Sequence, residues 1–284
     1  MKSHLTKLVA SGVLTLSTAV SAFAGSVTQP GETMGLAAGA PLPQGVYFID
    51  TLDWGVRSTS PNSTAEGVNI PVLAWSTPWT LLGARVHFLA AAPSAEVGVK
   101  NTDYVEGMYN PFFAGMLAWN LGNGLGFSYM LGGYAGVKTP VGFDTSSLNQ
   151  RFALSYTAND WNLTANLIWG IQSQAVTTTE NPDFVNIDLT ATRKFGKWEL
   201  GAVGYYSTDV SSPVANYARQ SQFALGALVG YNFGPVILQA ALTTDVAQQN
   251  YGGYDTRGWG RLIIPLGDPL AASAPASSGP MYRK

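Results

Sequence analysis

Cysteine is absent from this sequence, which excludes both a disulfide framework and a thiolate metal centre. Charge is scarce. Charged residues make up 11% of the chain, less than half of the roughly 25% of ordinary soluble domains. Histidine is nearly missing as well, with only His4 and His87. Beyond the N-terminus no apolar run approaches the roughly 20 residues that a membrane-spanning helix needs. The net charge of -2 gives no footing for nucleic-acid binding. What the sequence does hold is 32 glycines and 12% aromatic residues. Such a composition suits β-strands with one face in lipid and the other on a polar interior.

The first residues read as an export signal. Lys2 and Lys7 supply the positive start, Leu8 to Val20 the apolar stretch, and Ala22-Phe23-Ala24 a small-x-small cleavage site before Gly25. Residues 1–24 are therefore assigned to a signal peptide and 25–44, rich in Gly, Pro and Ala, to an irregular periplasmic lead-in. Residues 267–284 form a low-complexity tail.

Between them, residues 45–266 carry period-two patterns for about twelve strands. In the segment starting at Leu148, residues Leu148, Phe152, Leu154 and Tyr156 oppose Asn149, Arg151, Ala153 and Ser155. Trp161 to Ile171, Val185 to Thr192, Phe223 to Phe233 and Val236 to Leu242 alternate in the same way, and Leu82 to Phe88 does so earlier in the chain. Tight connections are expected at Ser76–Pro78, Gly122–Gly124, Asn159–Asp160, Phe195–Lys197 and Gly234–Pro235, because Gly and Asn tolerate positive φ. Longer polar connections are expected at Gly55–Gly67, Ala91–Asn110, Val137–Ser147, Gln172–Pro182, Thr208–Gln220 and Ala247–Thr256. Long and short connections alternate along the chain. That rhythm predicts an all-β protein: a transmembrane antiparallel barrel of the outer-membrane type, with short turns in the periplasm and long loops outside. Trp75, Trp79, Trp119, Trp161 and Trp198 lie beside the short turns, and Trp54 and Trp259 near long ones, as expected of two interfacial girdles.

Reactive constellations are sparse. After signal removal His87 is the one histidine left, and no Gly-x-Ser-x-Gly elbow accompanies it. Gly122–Gly126 lacks the full Gly-x-Gly-x-x-Gly spacing and precedes a strand pattern, so it reads as a hairpin. Asp144, Asp183, Asp245 and Asp255 lack EF-hand spacing and read as solvated loop-edge residues. No catalytic residue, cofactor or metal site is assigned. The polar sides of the strands instead supply candidates for lining a lumen: Arg85, His87, Asn149, Arg151, Asn166, Asp188, Glu199, Gln239 and Arg261, with Asn69, Asn162 and Asn186 beside them. About twelve strands imply a passage narrower than that of the larger porins, easily constricted or closed outright by a hydrogen-bonded filling.

Two stretches carry a family resemblance. Leu36-Ala37-Ala38-Gly39-Ala40-Pro41-Leu42-Pro43-Gln44-Gly45-Val46-Tyr47-Phe48 resembles the opening of a bacterial outer-membrane family associated with meta-cleavage phenol degradation, the MetA-pathway group. Tyr109-Asn110-Pro111-Phe112-Phe113 and Ala118-Trp119-Asn120-Leu121-Gly122-Asn123-Gly124 resemble its middle. The resemblance implies movement of small hydrophobic or aromatic compounds across the outer membrane, with lipid, those solutes and the outer-membrane assembly machinery as partners, and it brings no catalytic residues. Barrels of this membrane usually end in an aromatic residue, whereas here the last strand is expected to end near Leu266 and the sequence ends at Lys284. The alternatives are a non-transporting surface barrel acting through its loops on a partner or on the envelope, and an outer-membrane lipid hydrolase built on His87.

Overall fold

The computed structural model describes residues 26–173 and 181–270. The signal peptide read at 1–24, part of the loop Gln172–Pro182 and the tail beyond residue 270 lie outside the described residues. In chain order the strands are β1 (Gly45–Arg57), β2 (Thr64–Leu81), β3 (Ala84–Ala91), β4 (Ser94–Val99), β5 (Asp103–Met108), β6 (Phe112–Gly122) and β7 (Leu125–Tyr134). They continue as β8 (Ser147–Tyr156), β9 (Trp161–Gln172), β10 (Phe184–Phe195), β11 (Trp198–Asp209), β12 (Ser221–Asn232), β13 (Ile237–Gln249) and β14 (Asp255–Gly267). All pairings are antiparallel, and β1 pairs with both β14 and β2, which closes the sheet.

Fourteen strand segments make a twelve-stranded wall, because two wall strands are each broken in two. β2 pairs with β3 along Val72–Leu81 and with β4 along Thr64–Asn69. β3 pairs onward with β6, and β4 with β5. Thus β4 continues β3 and β5 continues β6. The breaks fall at Pro93 and Pro111, which lack the N–H that an unbroken ladder requires. The stretch Ala91–Asn110, expected as a long polar connection, is a projecting hairpin of β4 and β5.

Another difference concerns Ser76–Pro78. It lies within β2 as a bulge, with the register shifting between Ser76 and Thr80. Pro78 cannot donate to the ladder. Thr77 compensates locally: its hydroxyl donates to the Val86 carbonyl at 2.8 Å and accepts the Trp79 N–H at 3.1 Å. The actual turn is Leu82–Gly83, with φ of 52° and 78°. At the same rim, Asn159–Asp160 has φ of 54° and 65°, as a two-residue hairpin turn matched to strand twist requires.

The outer surface is apolar. Leu52, Leu73, Leu131, Leu154, Leu167, Leu189, Leu225 and Leu242 are exposed on it, and Trp54, Trp79, Trp161 and Trp198 add exposed indoles. In water such a surface would be an extended exposed apolar patch; against acyl chains it is the stable one. With short turns at one rim and long connections at the other, the protein is an outer-membrane β-barrel.

Trp259 departs from the girdle expectation. It points inward, is buried, donates its indole N–H to Thr243 Oγ1 at 2.9 Å and meets Tyr205 edge-on. Asn69 departs from the lumen expectation. It pairs with Leu52 and shares the outward parity of Leu73, while Val68 and Ile70 face inward and are buried. Asp245 and Asp255, read as solvated, are buried.

Candidate functional site

The lumen is occupied by the protein's own chain. The segment assigned to a periplasmic lead-in runs inside the barrel over residues 26–42, in turns without strand or helix. A segment without sheet partners must satisfy its backbone elsewhere, and here the inner wall does so. Asp188 accepts the Gly31 N–H at 2.8 Å, the Thr33 N–H at 2.9 Å and the Thr33 hydroxyl at 2.6 Å. Thr190 takes the Gly35 N–H at 2.8 Å, and Ser155 the Gly39 N–H at 2.9 Å. In the other direction, Asn186 donates to Ser26 Oγ and the Thr28 carbonyl, Asn149 to Thr28 Oγ1, Asn166 to Thr33 Oγ1, and Asn162 and Gln239 to the Gly35 carbonyl. Ser128 reaches the Ala38 carbonyl, and Ser76 the Leu42 carbonyl. The partners descend β10 from Asn186 to Thr190. The segment thus passes from the outer half of the lumen to the short-turn rim, where β1 begins.

Two arginines hold the same segment by charge. Arg151 pairs with Glu32 at 2.6 Å. Arg261 donates to the Met34 carbonyl, and at 2.7 Å to the Glu32 carbonyl. Glu199 stands one step back, accepting from Gln239 at 3.0 Å and from Thr192 at 2.5 Å. Glycine is required where the segment grazes the wall. A Cβ on Gly31, whose φ is +92°, would lie 2.7 Å from Tyr205, and one on Gly39 would lie 2.6 Å from the Ser155 nitrogen.

Six of the nine lumen candidates, Asn149, Arg151, Asn166, Asp188, Gln239 and Arg261, therefore touch the internal segment directly, and Glu199 acts through Gln239. Arg85 and His87 belong to a different place, nearer the short-turn rim. Arg85 donates to the Thr77 carbonyl at 3.1 Å. His87 is buried opposite Ser76 and Met116, and neither of its ring nitrogens has a hydrogen-bond partner among the described residues. It has no serine or carboxylate within hydrogen-bond reach to form a catalytic pair.

Toward the long-connection rim the lumen divides in two. One side is apolar and aromatic: Tyr109, Phe112, Met116, Met130, Tyr134, Ile168 and Phe184 form a buried cluster with Val68 and Ile70, and Val27 of the internal segment packs into it. Arg151 lies over the Phe112 ring at 4.8 Å. The adjoining side, from β14 through β1 to the start of β2, is ionic. Arg257 meets Asp53, Glu66 at 3.0 Å and Asp255 at 2.9 Å, all three pairs buried. Arg57 lies over the Tyr251 ring at 4.2 Å. Burial pushes the Tyr251 phenol above its ordinary value, and the nearby Arg57 charge opposes that. Neither half of this division was read from the sequence. The ionic group had a usable signal, since Asp53 and Arg57 share one parity and Asp255 and Arg257 share one on the neighbouring strand, but Arg57 and Asp255 were expected in the long connections Gly55–Gly67 and Ala247–Thr256.

Residues 55–262 match the family described as "Putative MetA-pathway of phenol degradation". The chain belongs to that family. No curated protein matches it. Among solved structures, the chain is similar to the COG4313 outer membrane channel from Pseudomonas putida F1. The TM-score is 0.66 at 14% identity, over 84% of this chain and 99% of that one. It is also similar to the beta domain of the Bordetella autotransporter BrkA, with a TM-score of 0.50 and 14% identity over 78% of this chain and all of that one. At such identities the likeness concerns the barrel fold alone.

Proposed function

We propose that this family member is a passive outer-membrane channel for small apolar or aromatic compounds, and that the internal segment 26–42 closes it. The observation that carries this reading is the buried aromatic and aliphatic cluster on the inner wall. A barrel interior that only carried water and ions would have no use for Phe112, Phe184 and Ile168 facing inward. An apolar solute gains from such a surface, because each apolar area it buries leaves water. The adjoining ionic side supplies fixed charges and polar atoms for a hydroxyl or carboxyl substituent. An amphiphilic ring thus finds both kinds of wall in one vestibule.

Closure follows from dimensions. Twelve strands spaced about 4.8 Å apart and tilted about 40° make a cylinder about 24 Å across between backbones. Side chains on the wall and a traversing peptide narrow the space left for a solute, which supports closure by the segment. Passage therefore requires the segment to shift, and its wall contacts are mostly hydrogen bonds that water can replace.

The test is planar-bilayer recording together with solute flux into liposomes, comparing the full protein with a variant lacking residues 26–42. Larger and more frequent openings in the deletion, with flux of small phenols exceeding that of equally sized sugars, are the expected result. A deletion variant that folds but conducts nothing and passes no solute would refute transport, and would leave the projecting β4–β5 hairpin and the loops as the functional surface.

A further inference from the structure

The outer wall carries a feature that neither closure nor conduction uses. Arg57, Arg85, Arg151, Arg257 and Arg261 all lie on the inward parity of their strands. Arg193 alone has the outward parity, alternating with inward Thr192 and in line with exposed Leu189 and Ala191. It sits two residues before the end of β10 at the short-turn rim. A cation on the lipid face is costly at mid-membrane and nearly neutral at the headgroup level, so its depth is that of the headgroups. Its guanidinium lies 5.5 Å from the Trp161 ring and 5.7 Å from the Phe195 ring. Among the described residues it enters no ion pair. Lys197 is exposed in the turn that follows; Lys194, on the inward parity, is paired across the ladder with Glu199, and Asp160 lies in the adjacent turn.

Directly above Arg193 the wall is hollowed. The register places Trp161, Arg193 and Leu200 in one outward row, and Leu163, Ala191, Ala202 and Ala227 in the next. Gly204 and Ala165 follow in the row beyond. The result is a groove of about 510 Å³, floored by Ala191 and Ala202 and walled by Leu154, Leu163, Leu189 and Leu225. A second outer groove of about 570 Å³, bordered by Leu73, Phe88, Phe113 and Leu131, has no outward cation at its foot. Arg85 below it is turned to the Thr77 carbonyl.

We propose that the Arg193 groove is a binding site for one glycerophospholipid of the periplasmic leaflet. The phosphate sits on Arg193, with Lys197 of the neighbouring turn below it, and one acyl chain lies along the Ala191–Ala202 floor. The chemistry is specific at each end. A guanidinium beside the Trp161 and Phe195 rings offers paired N–H donors to phosphate oxygens. A groove of small side chains lets a hydrocarbon chain approach the wall, with a volume in the range of a single acyl chain. The arrangement also selects against a second copy of the barrel, because a two-fold contact there would bring Arg193 and Lys197 face to face with the same two cations.

The test is native mass spectrometry of the full protein in detergent, titrated with dioleoylphosphatidylglycerol, with folding checked by heat-modifiable electrophoretic migration. One lipid adduct is expected for the wild type. Arg193→Gln should bind about tenfold more weakly, as the loss of one charge-assisted hydrogen bond implies. Ala191→Leu with Ala202→Leu should lose the adduct by filling the groove, whereas Ala90→Leu in the cation-free groove should keep it. Equal binding by all variants, or equal loss in Ala90→Leu, would mean merely annular lipid and would overturn the proposal. So would inorganic phosphate binding without a lipid adduct, or a wild-type dimer that the groove-filling variant converts to a monomer.

Discussion

The decisive perturbation of the closed state is Asp188→Ala. The Asp188 carboxylate accepts three hydrogen bonds from the internal segment, at 2.8, 2.9 and 2.6 Å. Hydrogen bonds to a charged group contribute about 1.5–3 kcal/mol each, and removing the acceptor leaves buried donors unsatisfied. Three such bonds do not add in full, because water solvates both sides once the segment moves away. A net loss of about 3 kcal/mol is a reasonable working figure, and it corresponds to about a 150-fold shift in the equilibrium between seated and displaced segment. The wall itself is untouched, since β10 keeps its ladders to β9 and β11. The expected record is an open probability raised by about that factor at unchanged open-state conductance. Deletion of residues 26–42 should reach the same open level permanently. If Asp188→Ala opens no more often than the wild type while the deletion does, the grip lies elsewhere along the segment. If the deletion leaves both open probability and conductance unchanged, the segment does not close the channel at all.

Three further outcomes follow from single residues. Trp259→Ala should destabilise the barrel by about 3–5 kcal/mol, as emptying a packed aromatic site does, while Trp54→Ala, exposed on the lipid side, should cost far less; urea unfolding in detergent followed by tryptophan emission separates them. Phe184→Asp, at a fully buried position of the inner apolar cluster, should reduce flux of small phenols several-fold and leave ion conductance of the segment-deleted channel nearly unchanged; an equal effect on both would remove the cluster's role in solute choice. Gly39→Val should loosen the internal segment, because its Cβ would meet the Ser155 nitrogen at 2.6 Å; protease access to the segment in intact cells is the readout, and unaltered protection would contradict the close approach.

The wall was legible in the sequence because lipid on one side enforces period-two alternation wherever the inner side is polar. Leu148 to Tyr156 and Trp161 to Gln172 meet that condition, and their inward Asn149, Arg151, Asn162 and Asn166 follow from it. Where the inner side is apolar as well, alternation vanishes. Phe112 and Met116 oppose Phe113 and Leu117 across the same strand, and nothing in the pattern says which pair faces lipid. The inner aromatic cluster was hidden for that reason. β2 shows the related failure of parity: with Val68, Ile70 and Val72 inward, the single polar Asn69 suggested the opposite face. Trp259 was assigned by its nearness to a loop, although it shares parity with Arg257 and Arg261, which mark the inner face. The internal segment was recognised as irregular but placed outside the lumen, because a Gly/Pro/Ala-rich composition fixes conformation and not location.

That composition also explains why closure by this segment can be reversible. A plug held by apolar packing would expose its own core on leaving, at about 25 cal/mol for each Å². Here the buried apolar anchors of the segment are few: Val27 in the aromatic cluster and Met34 beside Tyr205, Leu228 and Trp259. The remaining contacts join backbone amides and small hydroxyls to Asn, Ser, Thr, Gln, Asp and Arg side chains of the wall, and each exchanges for water at a net cost of about 1 kcal/mol. Displacement therefore has its principal resistance at the Asp188 and Arg151–Glu32 contacts and at the two apolar anchors. A solute that prefers the surface covered by Val27 competes for that anchor directly. On the proposed function, entry of an apolar ring into the cluster and release of the segment's outer end would be one exchange reaction, in which the apolar surface of the wall is never left bare to water.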